Sequence, residues 1–213
     1  MSGVAWRRPW PASWRLSRPR RAWSRNRPTS ELIRVAGSLA LVDGARLTWS
    51  VADGNRGRRW RAVSIGTEGI THALLLEVDP TGRPSRLELT TAAGLLTLHP
   101  SADQREIHGN VVTTTGEGVR PLAFAWGPEH ELEVIGRPLA SAVAVHRRRS
   151  RLAIGASEPV AMLSIGPELQ VVAAERTIER LTETRWRVGT AELEIDADGL
   201  PTGGDRWPLE IDE

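Results

Sequence analysis

The chain reads as an all-β, mainly antiparallel fold: a strongly curved sheet or half-barrel built from two related halves, with at most one or two short helices. Three observations predict this. Short runs of alternating apolar and polar residues recur along the chain, broken by Gly, Pro and Asp and never spaced by long helical stretches. One three-block pattern occurs twice in the same order. No segment requires a long helix.

The first copy of the pattern holds Arg46-Leu47-Thr48, then Arg59-Trp60-Arg61, then Leu76-Glu77-Val78-Asp79-Pro80-Thr81-Gly82-Arg83-Pro84. The second holds Arg180-Leu181-Thr182, then Arg185-Trp186-Arg187, then Leu193-Glu194-Ile195-Asp196-Ala197-Asp198-Gly199-Leu200-Pro201, with shorter spacers. A duplicated β unit follows from three blocks kept in order.

With 213 residues the chain suffices for one domain and a tail: residues 1–30 as an Arg/Trp/Pro-rich extension and 31–213 as a single antiparallel β domain. The absence of cysteine excludes a disulfide framework, Cys-ligated zinc, iron–sulfur clusters and thiol catalysis. All 28 basic residues are arginine, tyrosine is absent and phenylalanine occurs once, so Trp, Leu, Val, Ile and Ala must build the core. Charge is segregated. Residues 1–30 carry eight arginines and no acid, whereas 31–213 carry 20 arginines against 26 acids, a balance of −6. Any affinity for an anionic membrane surface or nucleic acid therefore belongs to the tail, where Trp6, Trp10, Trp14 and Trp23 interleave with the arginines. Pro9, Pro11, Pro19 and Pro28 preclude a continuous helix there, and disorder is expected.

From Ser30 the pattern becomes globular. Leu32, Val35, Ala36 and Leu39 fit a short helix through Val42, and a strand over Ser38 to Val42 fits equally. Glu31, Arg34 and Asp43 interrupt or border this run, so it makes a poor export signal, and no segment approaches the ~20 apolar residues of a membrane span. A cytoplasmic location is expected. Ala45–Val51 and Trp60–Gly66 are strand-like around an Asp53-Gly54-Asn55 reversal. Ala73–Asp79 and Ser85–Thr91 form a hairpin in which Asp79 accepts turn amides and Gly82 takes positive φ. Gly94–His99, Arg105–Thr115 and Val119–Trp126 continue as strands. Pro138–Val145, small and apolar throughout, suits a buried strand or one short helix. Val160–Ile165, Leu169–Ala173, Arg176–Leu181, Thr184–Val188 and Ala191–Asp196 are strands again.

Catalytic signatures are missing. His72, His99, His108, His130 and His146 show no i, i+2 or i, i+4 spacing, so no metal site is expected. Asp196-Ala197-Asp198-Gly199 fails as a calcium loop because its glycine comes too early and position twelve would be Trp207. Gly116-Glu117-Gly118 opens no phosphate-binding helix, and no serine sits in a Gly-x-Ser-x-Gly elbow. The pairs Glu77 with Asp79 and Glu194 with Asp196 share one strand side; a solvated face ending in a turn aspartate explains them better than acid–base chemistry. Trp60 and Trp186 fit inward core positions with their flanking arginines outward. His146-Arg147, ending the apolar run, suits the rim of a cavity.

The order of these features resembles a bacterial glycolipid-binding family of single antiparallel β domains. The likeness runs from about Ala45 to Glu213. It rests on the strand pair ending in Trp60-Arg61 with the Leu-rich strands and Gly94 that follow, on Glu131-Leu132-Glu133 through His146-Arg147-Arg148, and on Leu193 to Leu200. Leu139–Val145 replaces the family's polar Thr, Asn and Pro motif, and its tyrosines are absent. The resemblance implies a curved sheet enclosing an apolar groove for an amphiphilic or glycolipid-like ligand, without a cofactor. The candidate ligand-binding residues lie in and beside the unrepeated middle: Trp126, Glu131, Glu133, Arg137, His146 and Arg147. The alternative is an isomerase or cyclase using Glu133, His108 or His146 on a small apolar substrate.

Overall fold

A computed structural model describes residues 34–208 other than 42, 117 and 203, and for 207 and 208 the backbone alone. The arginine- and tryptophan-rich stretch 1–30, with its expected disorder, lies outside the described residues, as does Glu117. Among the described residues there are fourteen strands and one helix, so the all-β, mainly antiparallel expectation holds.

The first element is strand β1 (Arg34–Ala40), which decides against the helix that residues 30–42 equally suggested. It pairs antiparallel with β2 (Arg46–Gly54) on one side and β14 (Asp205–Pro208) on the other. Val35, Ala36, Gly37 and Ser38 are buried in succession. A strand covered on both faces loses its alternation, which is why helical spacing fitted as well.

From β2 the chain meanders through β3 (Gly57–Gly66), β4 (Gly69–Val78), β5 (Pro84–Thr91), β6 (Gly94–Pro100), β7 (Glu106–Thr113) and β8 (Val119–Ala125). The sheet order is β14-β1-β2-β3-β4-β5-β6-β7-β8. Alternate residues from each strand as far as β7 enter one core cluster, among them Trp49, Trp60, Leu76, Leu89, Leu98 and Ile107. Nine strands would span about 40 Å if laid flat. The cluster is completed by a single helix and part of a smaller sheet, and a helix is only about 10 Å wide. The large sheet must therefore curl around them, giving the half-barrel.

The smaller sheet contains β9 (Glu131–Val134), β10 (Ser157–Ile165), β11 (Val171–Arg180), β12 (Arg185–Val188) and β13 (Ala191–Glu194), in the order β13-β12-β11-β10-β9. Among the described strands only β9 and β10 run parallel. The two copies of the sequence repeat sit one in each sheet. Their turns share the same backbone-amide bonds. Asp79 Oδ1 accepts the amides of Thr81 and Arg83, and Asp196 Oδ1 accepts those of Asp198 and Leu200. Gly82 N–H donates to Asp79 O, and Gly199 N–H to Asp196 O. Each turn closes across an equivalent pair, Val78 with Pro84 and Ile195 with Pro201. Trp60 and Trp186 are both inside, while Arg59, Arg61 and Arg185 are exposed and Arg187 is partly so.

The apolar stretch becomes helix α1 (Pro138–Arg148), with proline in its first turn. Leu139, Ala140 and Val143 pack into the large-sheet core, whereas Ala142, Ala144 and Val145 pack into a second cluster with Trp186, Ile178 and Met162. Buried on both sides, the helix has no polar stripe for periodicity to reveal. Its small residues let it lie close between two sheets.

Candidate ligand-binding site

Because α1 occupies the concave face of the large sheet, open space is left at its two ends. At the N-terminal end lies a cavity of about 510 Å³ walled by Leu39, Leu41, Val134, Ala142, Leu193 and Ile195. Its polar lining includes Asp43, Glu133 and Arg137. A smaller cavity of about 220 Å³ shares Val134 and Arg137 with it and adds His72. At the C-terminal end a cleft of about 460 Å³ is lined by Trp60, Arg58, Val143, His146 and Arg147, and by residues of both duplicated turns.

Arg137, immediately before α1, is clamped from two sides. Its Nε donates to His72 Nδ1 at 2.9 Å, and its Nη1 donates to Asp43 Oδ2 at 2.8 Å and to Gly136 O at 3.0 Å. His72 stands on β4 two residues before Leu74 and so faces inward, 5% exposed, beside fully buried Ser64 of β3. Burial, reinforced by the adjacent guanidinium and opposed by Asp43, pushes the His72 imidazole down to about 4. A guanidinium can only donate, so Nδ1 accepts and the single proton of neutral His72 sits on Nε2. That N–H points at Ser64 Oγ, 2.9 Å away. The serine is therefore an acceptor, and the pair cannot activate it as a nucleophile, which needs the opposite proton flow.

Glu131 on β9 is fully buried between Arg147 and Arg148 of α1, both of which donate to Oε1. Burial pushes its carboxyl up, against the pull of the two guanidiniums. Arg148 continues to Glu158, which also binds Arg151, and Arg151 reaches Glu129. This network ties α1 to β9 and β10. Glu133 accepts from Ser164 Oγ at 2.6 Å and Arg176 Nε at 3.1 Å. His146 is held below the usual histidine range by burial, with Arg58 and Arg149 adding to it and Asp198 and Asp196 opposing.

The six candidate residues thus fall in separate places. Glu133 and Arg137 line the N-terminal cavity. His146 and Arg147 line the C-terminal cleft. Trp126, buried beside His130 with ring centroids 5.5 Å apart, and Glu131 line none of these spaces. Sequence reasoning missed His72, Ser64 and Asp43. The available signal was a histidine and a serine at inward positions of otherwise apolar strand faces. His108 pairs with Glu106 at 3.2 Å on the surface of β7. No group of three or more His, Asp or Glu among the described residues could hold a metal ion. No helix among them is long and apolar enough to cross a membrane.

Neither a family model nor a curated protein matches the chain. Among solved structures, a DUF1089 family protein from Pseudomonas aeruginosa is similar, with a TM-score of 0.45 and 19% identity over 88% of this chain and 96% of that one.

Proposed function

We propose that the protein is a non-enzymatic binding protein for an amphiphilic, glycolipid-like ligand. The apolar part lies in the cavity at the N-terminal end of α1, and the head lies near Asp43, Glu133 and Arg137. One observation carries this reading: the cavity of about 510 Å³ has aliphatic walls and a few oriented polar groups. That is the make-up and size, ~300–1,000 Å³, of small-molecule sites. The order of sequence features shared with the glycolipid-binding family supports the same ligand class. Binding is favoured over catalysis at this cavity because the titratable groups that line or border it are committed: His72 is a neutral donor to Ser64, Asp43 is paired with Arg137, and Glu133 accepts from Ser164 and Arg176. The site is one for a cytoplasmic carrier or sensor rather than an isomerase or cyclase. The tail, residues 1–28, suits salt-dependent contact with an anionic membrane or nucleic acid, which its deletion would remove.

The direct test is displacement of a fluorescent alkyl-chain probe, with native mass spectrometry of the freshly purified protein to identify any resident ligand. Leu193→Trp, which fills the cavity from β13, should weaken probe binding at least about tenfold, or about 1.4 kcal/mol, while the thermal unfolding midpoint stays close to that of the parent. Equal binding by parent and variant would refute this site.

A further inference from the structure

The cavity at the N-terminal end of α1 contains an arginine whose hydrogen-bonding capacity is only partly used. Arg137 spends Nε on His72 and Nη1 on Asp43 and Gly136 O. Its Nη2 has no partner among the described residues, yet it is not among the buried unpartnered polar atoms. The amino group is therefore open to whatever fills the space around it. The side chain is 17% exposed and is shared by two cavities. A guanidinium fixed at two of its three nitrogens is pre-organised, so little further ordering opposes a hydrogen bond to the third.

The charge balance around it decides what the bond should accept. Asp43 already neutralises Arg137 at 2.8 Å. Glu133 is matched by Arg176 at 3.1 Å, and Glu192 by Arg185 at 2.8 Å and Arg187 at 2.7 Å. Glu194 alone among the charged lining residues makes no ion pair among the described residues; it is exposed and accepts from Thr184 Oγ1 at 3.1 Å. A charged head seated at Arg137, away from exposed Glu194, finds no buried opposite charge lacking a mate: an anion would compete with Asp43 for the guanidinium and a cation would face the guanidinium itself, so each would lose hydration uncompensated or break an existing pair. An uncharged oxygen costs far less to desolvate and meets a waiting N–H donor.

We propose that Arg137 is the specificity-determining residue of this cavity, its free Nη2 donating to an uncharged oxygen of the ligand, such as that of an alcohol or ester head. The proposal rests on the amphiphile-binding reading and narrows it. Leu39, Leu41 and Leu193 take the chain, and Arg137 selects the head by hydrogen bonding rather than by charge.

The test compares 1-decanol, decanoate and decyltrimethylammonium, identical in chain length, as competitors of the fluorescent alkyl probe on the full chain. Decanol should bind at least about tenfold more tightly than either ion. Arg137→Met should lower decanol affinity about tenfold and erase the ranking, whereas Leu193→Trp should weaken all three together. Decanoate or the ammonium compound binding as tightly as decanol would overturn the proposal, and this ranking needs no variant to fold. A folded Arg137→Met protein with parental decanol affinity would overturn it too. Failure of all three compounds to compete would instead refute the amphiphile site itself, and the proposal with it.

Discussion

His72 follows the strand rather than its own polarity: β4 directs it inward with Leu74 and Leu76, and the core accepts it only because Arg137 and Ser64 satisfy both ring nitrogens. This has a consequence for stability. In the unfolded chain the imidazole titrates near 6.5, but in the fold near 4. Above the unfolded value both states are neutral and the full stability is present. As pH falls from about 6.5 towards 4 the unfolded state takes up a proton that the folded state refuses, so stability is lost across that window. The loss amounts to about 3 kcal/mol and levels off below the folded value. Urea denaturation at pH 7.5, 5 and 4 should show this decline in the parent and a clearly smaller one in His72→Gln. Parallel declines in the two proteins would show that His72 is not the buried base described here. The residues themselves were in plain view in the sequence. Their grouping was not, since Asp43, Ser64, His72 and Arg137 lie up to 94 positions apart and meet only through strand register and the entry to α1.

At the scale of elements, the repeated turns were legible because turn chemistry is local: aspartate, glycine and proline at fixed offsets specify the same closure wherever they occur. The two turns nevertheless differ in what they touch, and that difference is testable. Both glycines have left-handed backbones, Gly82 at φ +80° and Gly199 at φ +77°, so alanine costs about 1 kcal/mol at either position from conformation alone. A Cβ on Gly82 would approach the flexible Arg147 Cγ at 3.2 Å, whereas on Gly199 it would come within 2.6 Å of the His146 ring. Gly199→Ala should therefore lower the unfolding free energy by about 1–2 kcal/mol more than Gly82→Ala, as measured by denaturant titration. Equal losses would mean that the turn does not press on the end of α1. β1 and α1 were less legible for one shared reason. Each is covered on both sides, and an element without a wet face carries neither the period of two nor the period of 3.6 that distinguishes strand from helix.

At the scale of the whole molecule, the two sheets could in principle behave as separable units, since each owns a core cluster and one copy of the repeat. Three connections argue for a single cooperative unit. Leu139, Ala140 and Val143 of α1 belong to one cluster, and Ala142, Ala144 and Val145 of the same helix belong to the other. Neither sheet can lose its half of the helix without stripping the other. Arg58 of β3 donates to Asp198 O in the second repeat turn at 2.6 Å, joining the duplicated units directly. The arginines of α1 bind buried Glu131, and separating them would leave uncompensated charge in the interior, typically costing about 3–5 kcal/mol. Tryptophans report on the two clusters independently, with Trp49 and Trp60 in the first and Trp186 in the second. Labelled with 5-fluorotryptophan and followed by fluorine NMR through a urea titration, the signals of Trp60 and Trp186 should disappear with the same midpoint and slope, as for a two-state domain. A lower midpoint for Trp186 would show that the smaller sheet opens on its own and that α1 stays with the large sheet when it does.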